Sequence, residues 1–255
     1  MTLLAEPAPA YAERPAPAML RDAVACVWSR VATGEGPVLP DACVDLVHTE
    51  GGGVVIAGPD TQPNGHALTP GSRVTGLRVR PGRAAAVLGI PANELRDLRV
   101  DVADVWGRAG AELGGRLDDA VTVAQRQELL TAAVARRITA ADPLAVAAVG
   151  LIARNPRRRV ADVAAELGLS ERQLRRRMQA AVGYGPKTLN RILRFQRLLA
   201  LAARSDDSLA DLALGAGYAD QAHMTAECTR LAGAPPTAVL GMQEPRGDRS
   251  LSDPS

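Results

Sequence analysis

Aromatic residues are almost missing from this chain: one Phe, three Tyr and two Trp among 255 residues, or 2%. Hydrophobic residues still make up 47%, so a core must be built mainly of Ala, Val and Leu. Lysine is nearly absent as well. Lys187 stands against 29 arginines, a bias that genomic base composition can produce and that carries little functional weight by itself. Three cysteines, Cys26, Cys43 and Cys228, are too few and too scattered for a disulfide framework. No apolar run reaches the roughly 18 residues that a membrane span needs. The opening MTLLAEPAPAYAERPAPAML lacks a basic stretch followed by an apolar block, so no secretory signal is expected. Gly-rich phosphate loops, a serine nucleophile elbow and a metalloprotease helix are also missing. The expectation is a soluble, cytoplasmic protein that is not an enzyme, has no cofactor or metal and does not meet a membrane.

Charge is present but unevenly placed. The net charge of +2 divides into −3 over residues 1–153 and +5 over residues 154–255. A polyanionic partner would therefore meet the C-terminal half. The patterning predicts five segments. Residues 1–20, rich in Ala and Pro, are expected to be loosely ordered. Residues 21–117 contain short Val-rich runs such as CVDLVHT and GVVIAGPDT, ended by turn residues, and read as a β-containing domain. Residues 118–141 form a connecting helix, with Leu130, Val134 and Ile138 as its apolar stripe. That stripe motivates an expectation of relay or homodimerisation. Residues 142–241 read as helix and turn throughout, and 242–255 as a polar tail. The fold class is thus α+β, with an all-α domain behind a β-containing one.

The helical half is legible residue by residue. Asp142 can cap a helix whose first position is Pro143. Val160, Val163, Ala164 and Leu167 lie on one face of a short helix, which Gly168 can end in a left-handed conformation. Ser170 and Gln173 can form a capping box for the next helix, which buries Leu174, Met178 and Ala181 or Val182. Arg172, Arg175, Arg176 and Gln179 fall on the opposite side. This is a helix-turn-helix with a basic outer face. The pattern then recurs: Ala213 and Gly217 each follow Ala164 and Gly168 by 49 residues. Asp220 can cap the repeat's second helix, whose buried side is marked by Met224, Cys228 and Leu231. Between the repeats, Leu189, Ile192, Leu193, Phe195, Gln196, Leu199 and Leu201 suit one long helix packing on both units.

Over about 142–241 this organisation resembles the AraC/XylS family of bacterial transcription regulators. The resemblance is carried by GYGPKTLNRILRFQRLLALA and DLALGAGYADQAHMT. It implies two helix-turn-helix units reading successive major-groove segments of double-stranded promoter DNA, roughly 34 Å apart. It implies base-edge contacts from Arg172, Gln173, Arg175 and Arg176 in the first unit. In the second they come from Gln221, Ala222, His223, Thr225 and Ala226. Lys187 and Arg191, and with them Arg157, Arg158 and Arg159, would hold phosphates. RNA polymerase and a small-molecule effector are the further partners it implies. The chain departs from the family at Ala226, where an arginine is common, and at Cys228, where a large aromatic is common. The second unit should therefore contribute less DNA affinity than the first.

Residues 11–117, through LPDACVDLVHT, VVIAGPDT and VRPGRAAAVLGIPANELRDLRVDVADVWG, resemble an uncharacterised β-containing domain found ahead of AraC-type units. A sensory or dimerising role is implied, with no defined ligand. Asp41 and Asp45 read as caps or turn formers. Cys43 and His48 do not match a zinc spacing. Two other readings remain open: a thiol-based DNA-repair-like or redox-sensing protein using Cys43, and an architectural DNA binder.

Overall fold

The computed structural model describes residues 11–33, 37–65 and 68–241. The first domain is a six-stranded antiparallel sheet with helices on one face. Strands β1 (Tyr11–Pro15), β2 (Val24–Val31), β3 (Val44–Thr49), β4 (Val54–Ala57), β5 (Arg73–Val79) and β6 (Arg99–Asp101) run in the spatial order β1-β2-β5-β3-β4-β6. Alternation in β3 sends Val44, Leu46 and His48 into the core and leaves Asp45, Val47 and Thr49 half-buried. On the covered face Val27, Leu46, Ile56 and Leu77 meet α1 (Ala84–Leu88), α2 (Val102–Trp106), α3 (Arg108–Asp119) and α4 (Val123–Ala135).

Residues 1–20 are not uniformly loose, because Tyr11–Pro15 pairs with β2 as an edge strand, a position where Pro15 is tolerated. Residues 1–10, and the expected tail at 242–255, lie outside the described residues. The segment 118–141 is not one helix: α3 ends at Asp119, and Thr122 starts α4 through a capping box with Gln125. Its stripe is not free for a partner either. Leu130, Ala133 and Val134 are buried in the first domain's core. Finally, Asp45 forms no turn. It pairs across the strands with Arg78, at 3.1 Å to both Nε and Nη2. Asp41 does form a turn, its Oδ1 accepting the Cys43 N–H at 3.0 Å.

Buried polar groups tie the α3–α4 corner to the sheet. Fully buried His48 places Nε2 2.9 Å from Asp118 Oδ1. Arg126 donates to the Leu117 carbonyl and, at 2.8 Å, to Glu50. Among the described residues no group of His, Cys, Asp and Glu is arranged to hold a metal, and no helix is long and apolar enough to cross a membrane. On the open face Trp28 lies over Gly76, where a Cβ would come within 2.2 Å of the indole. Gly76→Ala must displace that ring, and overpacking of this kind costs about 1–3 kcal/mol. A thermal melt should show the loss, and an unchanged Tm would mean that the indole moves freely.

The second domain comprises α5 (Pro143–Arg154), α6 (Val160–Glu166), α7 (Glu171–Val182), α8 (Pro186–Ala202), α9 (Leu209–Ala216), α10 (Gln221–Ala232) and α11 (Pro236–Gly241). Helix α8 runs through the centre, burying Leu189, Ile192, Phe195, Leu198 and Leu199 between the two helix pairs. Tyr218 and Cys228 are both buried in this core. Burial pushes the Cys228 thiol up to about 11, which leaves it an unreactive core residue at neutral pH.

The two domains touch. Ala42 is buried in the second domain's core with Leu39 against it. Gln196 Nε2 donates to the Pro40 carbonyl at 2.6 Å. The C-terminal end of α7 abuts Pro59 and Ala92, and Gly183 there has φ +95.

Candidate nucleic-acid interface

Each outward helix of the second domain is started by a side-chain cap. Ser170 accepts from the Gln173 N–H, and the Gln173 Oε1 in turn accepts from the Ser170 N–H at 2.9 Å. Asp220 accepts from the His223 N–H at 2.7 Å. Gly168 (φ +64) and Gly217 (φ +100) take the left-handed conformation that ends the preceding helices. These local devices fix where each outward helix begins, and so which side chains face away from the core.

On α7 the buried residues are Leu174, Met178, Ala181 and Val182. Arg172, Arg175 and Arg176 are exposed. Neither a hydrogen bond nor an ion pair engages their guanidinium groups among the described residues. Arg172 and Arg176 are four apart, so they are surface neighbours of like charge. Their repulsion costs the free protein a few tenths of a kcal/mol, and a polyanion laid across the face removes it. Arg177 behaves differently. Its Nη1 reaches Asp142 Oδ2 at 2.6 Å, pinning α7 to the N-cap of α5. Gln173, expected among the base readers, has its side-chain carbonyl engaged in the capping box.

The second unit presents a leaner face. Gln221, Ala222 and Ala226 are exposed. Thr225 Oγ1 donates to the Gln221 carbonyl at 2.9 Å. His223 is half-buried, edge-on to Tyr218 with ring centroids 5.4 Å apart, and its Nε2 lies 3.5 Å from Glu227. Glu227 does not stand out in the sequence, yet it organises this helix. It accepts from Arg191 Nε at 3.1 Å and from Arg194 Nη2 at 2.9 Å, and Arg194 also covers the Tyr218 ring. Arg191 therefore points its Nε at α10, where a phosphate contact was expected. The sequence signal is the i, i+3 arginine pair on α8 opposite an i, i+4 His–Glu pair on α10. Lys187 is exposed at the start of α8. Arg157 donates to the Leu214 carbonyl at 2.8 Å, bracing one unit against the other, and Arg158 pairs with Glu166.

The Arg177–Asp142 pair carries a pH prediction. Partial burial raises the Asp142 carboxyl, but Arg177 and the N–H groups of Ala145 and Leu144 outweigh it and hold the group below its ordinary value. A depressed carboxylate stabilises the fold above its unfolded pKa, about 3.9, and loses that contribution as pH falls through the folded value. Arg177→Ala should therefore lower stability by about 0.5–1 kcal/mol at neutral pH. The gap should close below about pH 4. Melts at both ends of the range check this, and a gap that persists in acid would assign the loss to packing.

Residues 163–242 match the model of a helix-turn-helix domain family, and residues 12–101 match that of a domain of unknown function, DUF6597. No curated relative matches the chain. Among solved structures, a transcriptional regulator with an AraC-type DNA-binding domain from Chromobacterium violaceum is 23% identical, with a TM-score of 0.38, covering 41% of this chain and 96% of that one. An apo point variant of ToxT from Vibrio cholerae is 14% identical, with a TM-score of 0.46, covering 91% of this chain and 100% of that one. Wild-type ToxT from Vibrio cholerae bound to an unsaturated fatty acid is 12% identical, with a TM-score of 0.46, covering 87% and 96%.

Proposed function

We propose that this chain is an AraC-type DNA-binding transcription regulator that reads promoter DNA mainly through Arg172, Arg175 and Arg176 of α7, in response to a small molecule or partner; the helix-turn-helix family match over 163–242 supports the DNA-binding part. The observation that carries the reading is three exposed, uncompensated guanidinium groups on the outer face of a capped recognition helix. Arg can donate two bonds to guanine O6 and N7, while phosphate contacts supply affinity and register. On the second unit Gln221 is the polar side chain left for base readout, with Ala222, His223, Thr225 and Ala226 shaping the surface around it. Lys187 is the phosphate contact of choice. Arg191 serves phosphate only through its Nη groups.

The first domain is the sensor. It touches α7 at Pro59 and Ala92, so a signal that shifts this packing biases the arrangements able to engage both half-sites. The protein works in the cytoplasm, and RNA polymerase is its downstream partner. Dimerisation through the 118–139 stripe is not proposed, because that stripe is internal.

Affinity selection of genomic fragments by the full chain, with Arg172→Ala/Arg176→Ala as control, tests the reading. A few enriched promoters that disappear in the control are expected. Diffuse, salt-sensitive capture without a motif would favour an architectural binder. A methyl adduct on Cys43 after treatment with an alkylating agent would instead favour the thiol-transfer reading.

A further inference from the structure

A cleft of about 400 Å³ lies between the domains, its walls mixed but with polar atoms in the majority. Arg96 enters it from the first domain, and Arg191 and Arg230 from the second. Asp97 is the one carboxylate in the lining, and it is already engaged. Its Oδ1 accepts from the Thr61 N–H at 2.6 Å and its Oδ2 from the Thr61 hydroxyl at 2.9 Å. It does so from a left-handed backbone, φ 60, so the two bonds hold a strained turn in place beside Arg96.

The arginines are only partly used within the chain. Arg96 is half-exposed, and its Nε is 3.9 Å from Asp97. Arg191 uses Nε on Glu227, which leaves its terminal Nη groups. Arg230 is exposed in the last turn of α10 and makes no ion pair among the described residues. Tyr184 adds the fourth observation. It is 2% exposed, it lines the cleft, and its hydroxyl has no hydrogen-bond partner. A buried hydroxyl left unpaired is costly, and a ligand oxygen would relieve it.

Guanidinium forks converging on one small volume favour planar or tetrahedral oxyanions. The volume is at the small end of ligand sites, and three arginines stand in its walls against one leucine. We propose that this cleft binds a compact phosphorylated metabolite, whose phosphate oxygens join Arg96 of the sensor to Arg191 and Arg230 of the DNA-binding domain. The consequence for regulation rests on the function proposed above, but the binding does not. The bound anion would hold the two domains together at the root of α8 and the end of α10.

Inorganic pyrophosphate is the probe, titrated into the full chain against sodium sulfate of equal ionic strength. A saturable rise in Tm is expected, about 5–10 °C at a hundredfold excess over Kd. Arg96→Ala and Arg230→Ala should abolish it. Arg108→Ala, at an exposed first-domain arginine outside the cleft lining, should keep it. No saturable rise, or an equal rise in all variants, would overturn the proposal. DNA affinity measured without pyrophosphate separates the sources of phosphate. If Arg96→Ala alone lowers that affinity and its salt slope by about one, the cleft takes a DNA phosphate and the proposal fails. Promoter binding with no pyrophosphate effect sinks the cleft alone. A pyrophosphate effect without promoter binding sinks the proposed function alone.

Discussion

Replacing Arg172 and Arg176 together by alanine should weaken binding to a selected operator by roughly 30- to 10⁴-fold, since a bidentate arginine–base pair discriminates by about 1–3 kcal/mol. The fold should not register the change. Both side chains are exposed and make no contact that the core needs, and surface substitutions of this kind stay within about 0.5 kcal/mol. Loss of the i, i+4 repulsion even favours a small gain. Gln221→Ala on the second unit should cost less than Arg176→Ala. The neighbours of Gln221 are alanines, and a threonine and a histidine that bond within their own helix or its turn. Fluorescence anisotropy on one operator at two salt concentrations, paired with thermal melts, separates these effects. Equal losses for Arg176→Ala and Gln221→Ala would overturn the assignment of the first unit as the main contributor.

The helical domain is legible in the sequence because its signals are local. A serine and a glutamine three apart make a capping box, a glycine ends a helix, and an apolar residue every third or fourth position marks the buried side. Each feature is set within one or two turns of chain. Even the repeat at a spacing of 49 residues is visible as a pattern of Ala and Gly. The sheet is harder. Strand β1 carries Glu13, Arg14 and Pro15, and only its pairing with β2 across residues Tyr11–Arg30 makes it a strand. The apolar stripe at Leu130 and Val134 does mark a helix face. Nothing local says that its partner is a sheet of the same chain. The same limit applies at the candidate interface. The sequence packs four arginines, Arg172, Arg175, Arg176 and Arg177, into six positions and puts the first three on the helix's outer side. Only the fold shows that Asp142, thirty-five residues away, engages the fourth. Glu227 is hard to single out for the same reason: its i, i+4 spacing from His223 is visible, but its meaning comes from Arg191 and Arg194 on another helix.

Gly183→Ala should be the more disruptive of two glycine substitutions that look alike in sequence. Both Gly168 and Gly183 end helices with positive φ, +64 and +95. An alanine in either place incurs the left-handed penalty of about 1–2 kcal/mol. Around Gly168 a Cβ meets nothing within 4 Å, so the penalty ends there. At Gly183 the Cβ would come within 2.5 Å of Pro59 Cγ and 3.2 Å of the Ala92 carbonyl, both in the first domain. Relieving that clash requires the first domain to move off the end of α7, adding a further cost of about 1–3 kcal/mol. Thermal melts should therefore place Gly183→Ala several degrees below Gly168→Ala. Limited proteolysis should cut the segment between α4 and α5 faster in Gly183→Ala than in the parent. The functional readout is sharper still. The α7 arginines remain in place in both variants, so any change in DNA affinity specific to Gly183→Ala reports the first domain's grip on α7. If the two variants melt together and bind DNA alike, the contact through Pro59 and Ala92 is only passive packing, and communication between the domains must run through another route, such as the Gln196–Pro40 bond.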